Sequence, residues 1–320
     1  MSARWIFDKL SPAGTDARLT VLIFHRVLPV PDPLFPGEPD AVWFETQMRW
    51  IKTWFNVLPL AEAIERLRSD SLPARAAAIT FDDGYADNCT VALPILRRAG
   101  LSATFFIATG YLDGGQMWND TVIDVVRSAE GPEIDLSPQK LGHYSVATLK
   151  DRQQSLGQLL NALKYMEPAQ RGKLAGDLAA AAKIRPSHDL MLTSDQVRTL
   201  AESGMTIGAH TVSHPILARV AEQEARTEMI LSKQTLEAIT GSEVTLFAYP
   251  NGKPETDYTA KHVQLAREAG FSAAVSTAWG VATKRSDMFQ IPRFTPWDRT
   301  HWRYALRLVR NMRHAITIVH

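Results

Sequence analysis

Residues 76–81, Ala-Ala-Ala-Ile-Thr-Phe, form an apolar run that ends in two adjacent carboxylates and a glycine, Asp82-Asp83-Gly84. A short run of this kind, without polar alternation, reads as a strand buried on both faces, and such strands belong in parallel sheets covered by helices. The carboxyl end of such a strand is the edge where α/β barrels and open α/β sheets assemble their sites. Two carboxylates placed side by side repel one another unless a cation or a shared proton lies between them. Asp-Asp-Gly is also an ordinary turn sequence, so a functional reading needs partners elsewhere in the chain.

Those partners are offered by His210-Thr211-Val212-Ser213-His214-Pro215. The His-x-x-x-His spacing predicts two imidazoles on one side of a helical turn, although pairs so spaced also occur on surface helices. An aspartate together with two histidines makes a three-ligand site with positions left for water, the arrangement that hydrolytic metals need.

Apolar runs and helical patterns alternate along most of the chain, which predicts a parallel sheet or barrel. The expected strands end at His25, Asp82, Thr109, His210, Tyr249, Thr277 and Phe294, so groups with chemical potential gather at several strand ends. Helices are expected over 43–54, 60–67, 88–98, 221–239 and 258–269, with a further one opened by the capping box Thr193-Ser194-Asp195-Gln196. Residues 29–39 hold five of the 18 prolines and predict an irregular loop. Between 111 and 192 the pattern turns mostly helical, over 122–127, 145–165 and 169–183, and reads as an inserted subdomain. The expected organisation is an extension over 1–18, a barrel over 19–300 carrying the insertion at 111–192, and a basic carboxy-terminal helix over 301–320.

With 35 Lys and Arg against 34 Asp and Glu, the net charge of +1 argues against nucleic acid as a partner. The single cysteine, Cys89, excludes an intrachain disulfide and is expected as a small buried hydrophobe. The amino terminus lacks a secretion-signal pattern, which makes a cytoplasmic location the expectation. No apolar run reaches the roughly 20 residues of a membrane span. The stretch 302–319, with Arg303, Arg307, Arg310 and Arg313 among apolar residues, reads as a helix packed on the barrel or, alternatively, as a peripheral membrane contact.

The motifs Thr80-Phe81-Asp82-Asp83-Gly84 and His210-Thr211-Val212-Ser213-His214-Pro215, supported by Phe247-Ala248-Tyr249-Pro250-Asn251-Gly252, resemble those of the polysaccharide deacetylases of carbohydrate esterase family four, the NodB-homology domain. The resemblance implies a distorted (β/α) barrel of about seven strands and the removal of an N-acetyl group from an amino sugar of a polysaccharide or glycan precursor. It implies Asp82 as catalytic base, Asp83, His210 and His214 as ligands of a divalent metal, and Thr211 as a group lining the site. Zinc is the expected ion, with cobalt, nickel and manganese as the alternatives.

Where the family pattern has an arginine and a tyrosine in its third motif, this chain has Ala248 and Asn251, and Arg293 is the expected substitute for orienting the base. The family's late leucine-x-histidine motif has no counterpart among His301, His314 and His320. His25 takes its place as the general acid, as in a similar subgroup, the biofilm poly-N-acetylglucosamine deacetylases. A structural, hydrogen-bonded His25 is the other reading. Asn251 and Tyr249 are expected near the oxyanion, and Trp279 and Trp297 at the mouth, where flat faces suit sugar rings, or in the core. Two rival functions remain open: an amidohydrolase or deformylase of a lipid-linked sugar or small non-sugar amide, and an inactive glycan-binding module. Oligomeric state is not legible.

Overall fold

The computed structural model describes residues 3–184, 187–314 and 316–320; Met1 and Ser2 of the expected extension, Arg185 and Pro186 of the expected insertion, and Ala315 of the expected carboxy-terminal helix lie outside them. Helix α1 (Ala3–Leu10) precedes β1 (Leu19–Phe24), and α2 (Ala41–Trp54) leads through β2 (Asn56–Val57) and α3 (Leu60–Arg68) to β3 (Ala76–Phe81). Then come α4 (Leu93–Ala99) and β4 (Thr104–Ile107), followed by α5 (Trp118–Ser128), β5 (Glu133–Leu136), β6 (Gly142–Ser145), α6 (Leu149–Lys164) and α7 (Pro168–Ala181). The strand and helix alternation resumes with α8 (Ser194–Glu202), β7 (Thr206–Ala209), α9 (Glu222–Thr240), β8 (Leu246–Ala248), α10 (Ala260–Glu268) and β9 (Ala273–Val275), and α11 (His301–Asn311) follows.

The main sheet runs β1-β3-β4-β7-β8-β9, with the short β2 also paired to β3, and every pairing in it is parallel. Residues 291–294 join its two ends: Ile291 bridges Val275 of β9 and Phe294 bridges Leu22 of β1, both in parallel sense. The curled sheet thus forms a distorted barrel of the NodB type, with the last expected strand reduced to this extended connection.

Period-two alternation assigns each strand's residues to a face. Ala77, Ile79 and Phe81 pack with Phe44, Ile51 and Leu96 of the surrounding helices. Ala76 and Ala78 join Val21, Phe106, Leu246, Ala248, Val275 and Ile291, contributions from around the sheet that identify the barrel interior. Asp82 continues the face of Ala78 and Thr80, which aims its carboxylate inward at the top of the barrel.

The helices end where local chemistry dictates. Asp40 caps α2 by accepting from the Val42 and Trp43 N–H groups, Thr193 and Gln196 form the expected capping box of α8, and Gly100 takes the left-handed conformation after α4. Helix α11 buries Tyr304, Ala305 and Leu308, and leaves Trp302 and Leu306 exposed.

The stretch between β4 and α8 has its own core, where Val122 and Val126 of α5 meet Leu156, Leu159 and Leu163 of α6 and Leu178 of α7. The expected helix over 145–165 begins later, at Leu149, because 133–136 and 142–145 pair as an antiparallel hairpin. The proline-rich loop ties this layer to the barrel: Leu34 joins its core and Asp32 pairs with Arg127 at 2.6 Å. Among the described residues no helix is long and apolar enough to cross a membrane.

Candidate metal centre and catalytic cleft

At the end of β3 the chain turns on two left-handed residues, Asp83 (φ 76°) and Gly84 (φ 89°). A Cβ on Gly84 would approach Ile107 Cγ2 to 3.0 Å, so glycine suits the position on both counts. Asp83 is thereby turned out of the strand line, while Asp82 stays on the interior face.

The histidine motif is a loop, which corrects the expected helical turn. Strand β7 ends at Ala209, and Thr211 (φ 65°) and His214 (φ 52°) both adopt left-handed backbone. Such positions cost about 1–3 kcal/mol for non-glycine residues and persist when surrounding structure over-determines them. Glu228 of α9 supplies that structure, its carboxylate accepting from the Val212 and Ser213 N–H groups at 2.7 and 2.8 Å and from the Ser213 hydroxyl at 2.7 Å. The Thr211 hydroxyl accepts from the His214 N–H at 3.1 Å.

The loop brings the two imidazoles together, ring centroids 4.8 Å apart. Asp83 Oδ1 lies 3.5 Å from His210 Nε2 and 3.4 Å from His214 Nε2, and one donor atom from each of the three residues falls within 4.8 Å of the others. His210 Nδ1 is 2.7 Å from the Ala248 carbonyl, which assigns the proton to Nδ1 and turns the Nε2 lone pair toward Asp83. A lone pair facing a carboxylate calls for a cation between them, so this donor set fits a divalent metal of the zinc type.

Without a cation the three groups perturb one another. Burial opposes the charge on Asp83, but His210, His214 and His25 hold the carboxyl well below its ordinary value. Burial likewise opposes charge on His210, yet Asp82 and Asp83 raise its pKa. For His214 burial prevails and pulls the imidazole down to about 4.

Asp82, 3% exposed, is held by the buried Arg293 in a two-pronged contact, with both hydrogen bonds at 2.7 Å. Arg293 in turn donates to the Ser276 carbonyl and the Thr80 hydroxyl. Burial pushes the Asp82 carboxyl up, and Arg293 with His210 more than offsets this, leaving it below its ordinary value. The guanidinium arrives from the 291–294 connection that joins the ends of the sheet.

His25, Asp82, Asp83, His210, His214 and Asn251 line one cavity of about 250 Å³. Asn251 has left-handed backbone (φ 57°), and its N–H has no acceptor among the described residues. Other expected site residues are elsewhere. Tyr249 is fully buried, stacked on Tyr258 and bonded through its hydroxyl to the Phe289 carbonyl, because the alternation that aims Ala248 into the barrel turns Tyr249 toward the helices. Thr211 is consumed in shaping its own loop. Trp279 and Trp297 do not line the cavity; Arg307 stacks over both, at 5.5 and 4.8 Å. The cavity's aromatic residue is instead Trp118, and Asn119, Asn161, Lys164 and Arg171 accompany it from the inserted layer. None of these, nor Glu228, had a local signal, since each lies in or beside an ordinary helical pattern.

A parallel barrel carrying an Asp-His-His donor set and a buried Asp–Arg pair at its mouth defines a NodB-type protein. The polysaccharide deacetylase family profile matches residues 69–274, well over half the chain, and the chain belongs to that family. It is similar to YxkH of Bacillus subtilis (strain 168), provisionally named a polysaccharide deacetylase, at 23% identity over 279 residues, 87% of this chain and 71% of that protein. Among solved structures it resembles the Streptococcus pyogenes deacetylase PplD in complex with acetate, with TM-score 0.59, 20% identity and coverage of 87% of this chain and 92% of that one. It also resembles IcaB from Ammonifex degensii, with TM-score 0.59, 18% identity and coverage of 92% and 97%. At these identities the structural likeness is one of fold.

Proposed function

We propose that this chain is a metal-dependent hydrolase that removes N-acetyl groups from amino sugars of a polysaccharide or glycan precursor. The observation that carries the reading is the convergence of two units on one cavity: the Asp83-His210-His214 donor set and the Asp82–Arg293 pair. A divalent ion held by Asp83, His210 and His214, with zinc first and cobalt, nickel or manganese as alternatives, supplies Lewis-acid polarisation of a carbonyl and makes water acidic near neutral pH.

The chain's own groups perform the proton transfers. Asp82, kept ionised by Arg293, takes a proton as water oxygen bonds to the amide carbon. The Asn251 N–H donates to the oxygen that gains negative charge. His25 gives a proton to the nitrogen as the C–N bond breaks, since an amine leaves poorly unless protonated. Acetate and a free amine result.

The experiment is acetate and amine release from a panel of N-acetylated oligosaccharides, with zinc-loaded wild type beside Asp82→Asn. Release that disappears in the variant supports the reading. Stoichiometric zinc with no release from any glycan would move the assignment to an amidohydrolase of a different amide, and absence of both zinc and activity would favour a binding module.

A further inference from the structure

The inserted layer contributes two cations to the cavity, Lys164 at the end of α6 and Arg171 in the first turns of α7. Arg171 is 5% exposed, yet no carboxylate lies within ion-pair range of it among the described residues. Its Nη1 donates to the Lys164 carbonyl at 2.9 Å, while its Nε is buried without a hydrogen-bond partner among the described residues. The nearest acidic group on its own helix, Glu167, spends its two oxygens on the Ala169 and Gln170 N–H groups. Burial holds Arg171 below its ordinary pKa, the direction for a cation withdrawn from water with little compensation. Half-buried Lys164 has no carboxylate within ion-pair range among the described residues, Asp257 acting on it only from further off, and its ammonium lies 5.5 Å from the Tyr165 ring, while the Trp118 ring lies 4.8 Å from the Arg171 guanidinium.

Buried charges in proteins are ordinarily paired, and an arginine fork matches the geometry of a phosphate or carboxylate. The remaining counter-charge is therefore expected from a ligand. We propose that Arg171 and Lys164 form an anion subsite, so that the substrate is an acidic glycan carrying a phosphate or carboxylate on, or next to, the acylated sugar. This inference rests on the deacetylase reading of the same cavity and names the substrate class within it.

The test is calorimetric binding of N-acetylglucosamine 1-phosphate, an N-acetylglucosamine–glucuronate disaccharide and neutral N-acetylglucosamine to the full chain, with and without zinc. At least one acidic ligand should bind about tenfold more tightly than the neutral sugar, the scale of one charge-assisted hydrogen bond, and which one does so distinguishes phosphate from carboxylate. Lys164→Met should remove most of that preference and Lys164→Arg should keep it. Arg171→Gln should remove it too, with circular dichroism checking that the variant folds. In turnover the Lys164→Met loss should appear as a raised KM for the acidic substrate. Equal affinity for acidic and neutral sugars, or a preference that survives Lys164→Met and a folded Arg171→Gln, would overturn the subsite while leaving deacetylation of neutral glycans intact. A preference lost in both variants, without acetate release from any substrate, would support the subsite and count against the deacetylase reading alone.

Discussion

Arg293 and Asp82, 211 residues apart in the chain, meet inside the protein through two hydrogen bonds of 2.7 Å. The pair bonds the connection after β9 to the end of β3, so it joins the seam of the barrel to the proposed base. Replacing one partner of a buried pair leaves an uncompensated charge, which typically costs about 3–5 kcal/mol. Arg293→Met should lose stability on that scale in urea unfolding and should lose most activity. Arg293→Lys should not restore activity, because an ammonium cannot reproduce the fork. An Arg293→Met protein as stable and active as wild type would remove both roles.

Glu228 touches neither imidazole yet shapes the loop that presents them. Loss of such supporting groups usually weakens metal binding by about 10–100-fold. Glu228→Ala should show that loss in a zinc competition titration, while His214→Ala should remove a ligand outright. Zinc at about 100 times its Kd should stabilise the wild type by about 2.7 kcal/mol and should stabilise His214→Ala far less. Equal zinc affinity in wild type and Glu228→Ala would show that the loop holds its shape without the glutamate.

His25 follows β1 and lines the cavity beside both aspartates. If it protonates the leaving amine, His25→Ala should lower turnover by about 10²–10⁴-fold, with zinc content and KM little changed. Near-normal turnover in that variant would make His25 a structural residue.

Asp120 of α5 receives the Tyr85 hydroxyl at 3.2 Å on each oxygen, and burial raises its pKa to about 7. The folded protein therefore holds a proton there between about pH 4 and 7 that the unfolded chain has released. Stability supplied by this group should be greatest below the ordinary carboxyl pKa and should fall as pH rises toward 7. Asp120→Asn, which can still accept the tyrosine hydroxyl, should flatten that part of the stability profile. An identical pH dependence of urea unfolding in wild type and variant would assign the slope to other groups.

The sequence by itself determined the parts whose causes are local. The apolar run into Asp82-Asp83-Gly84 specified a buried strand and a turn, and the Thr193–Gln196 box marked a helix start, because turn and cap chemistry act within a few residues. Side-chain alternation was equally legible in principle, and followed strictly it would have turned Tyr249 away from the site once Ala248 was assigned inward. The motif order pointed to Asp83, His210 and His214 as companions, and the tertiary structure alone decided that a loop braced by Glu228, rather than a helical turn, brings the imidazoles together. It also decided which wall the inserted layer covers, with Trp118, Lys164 and Arg171 in the cavity and Trp279 and Trp297 outside it. Those outcomes depend on how a curled sheet superposes segments tens to hundreds of residues apart, a geometry set by the closure of the whole barrel, which no local pattern encodes.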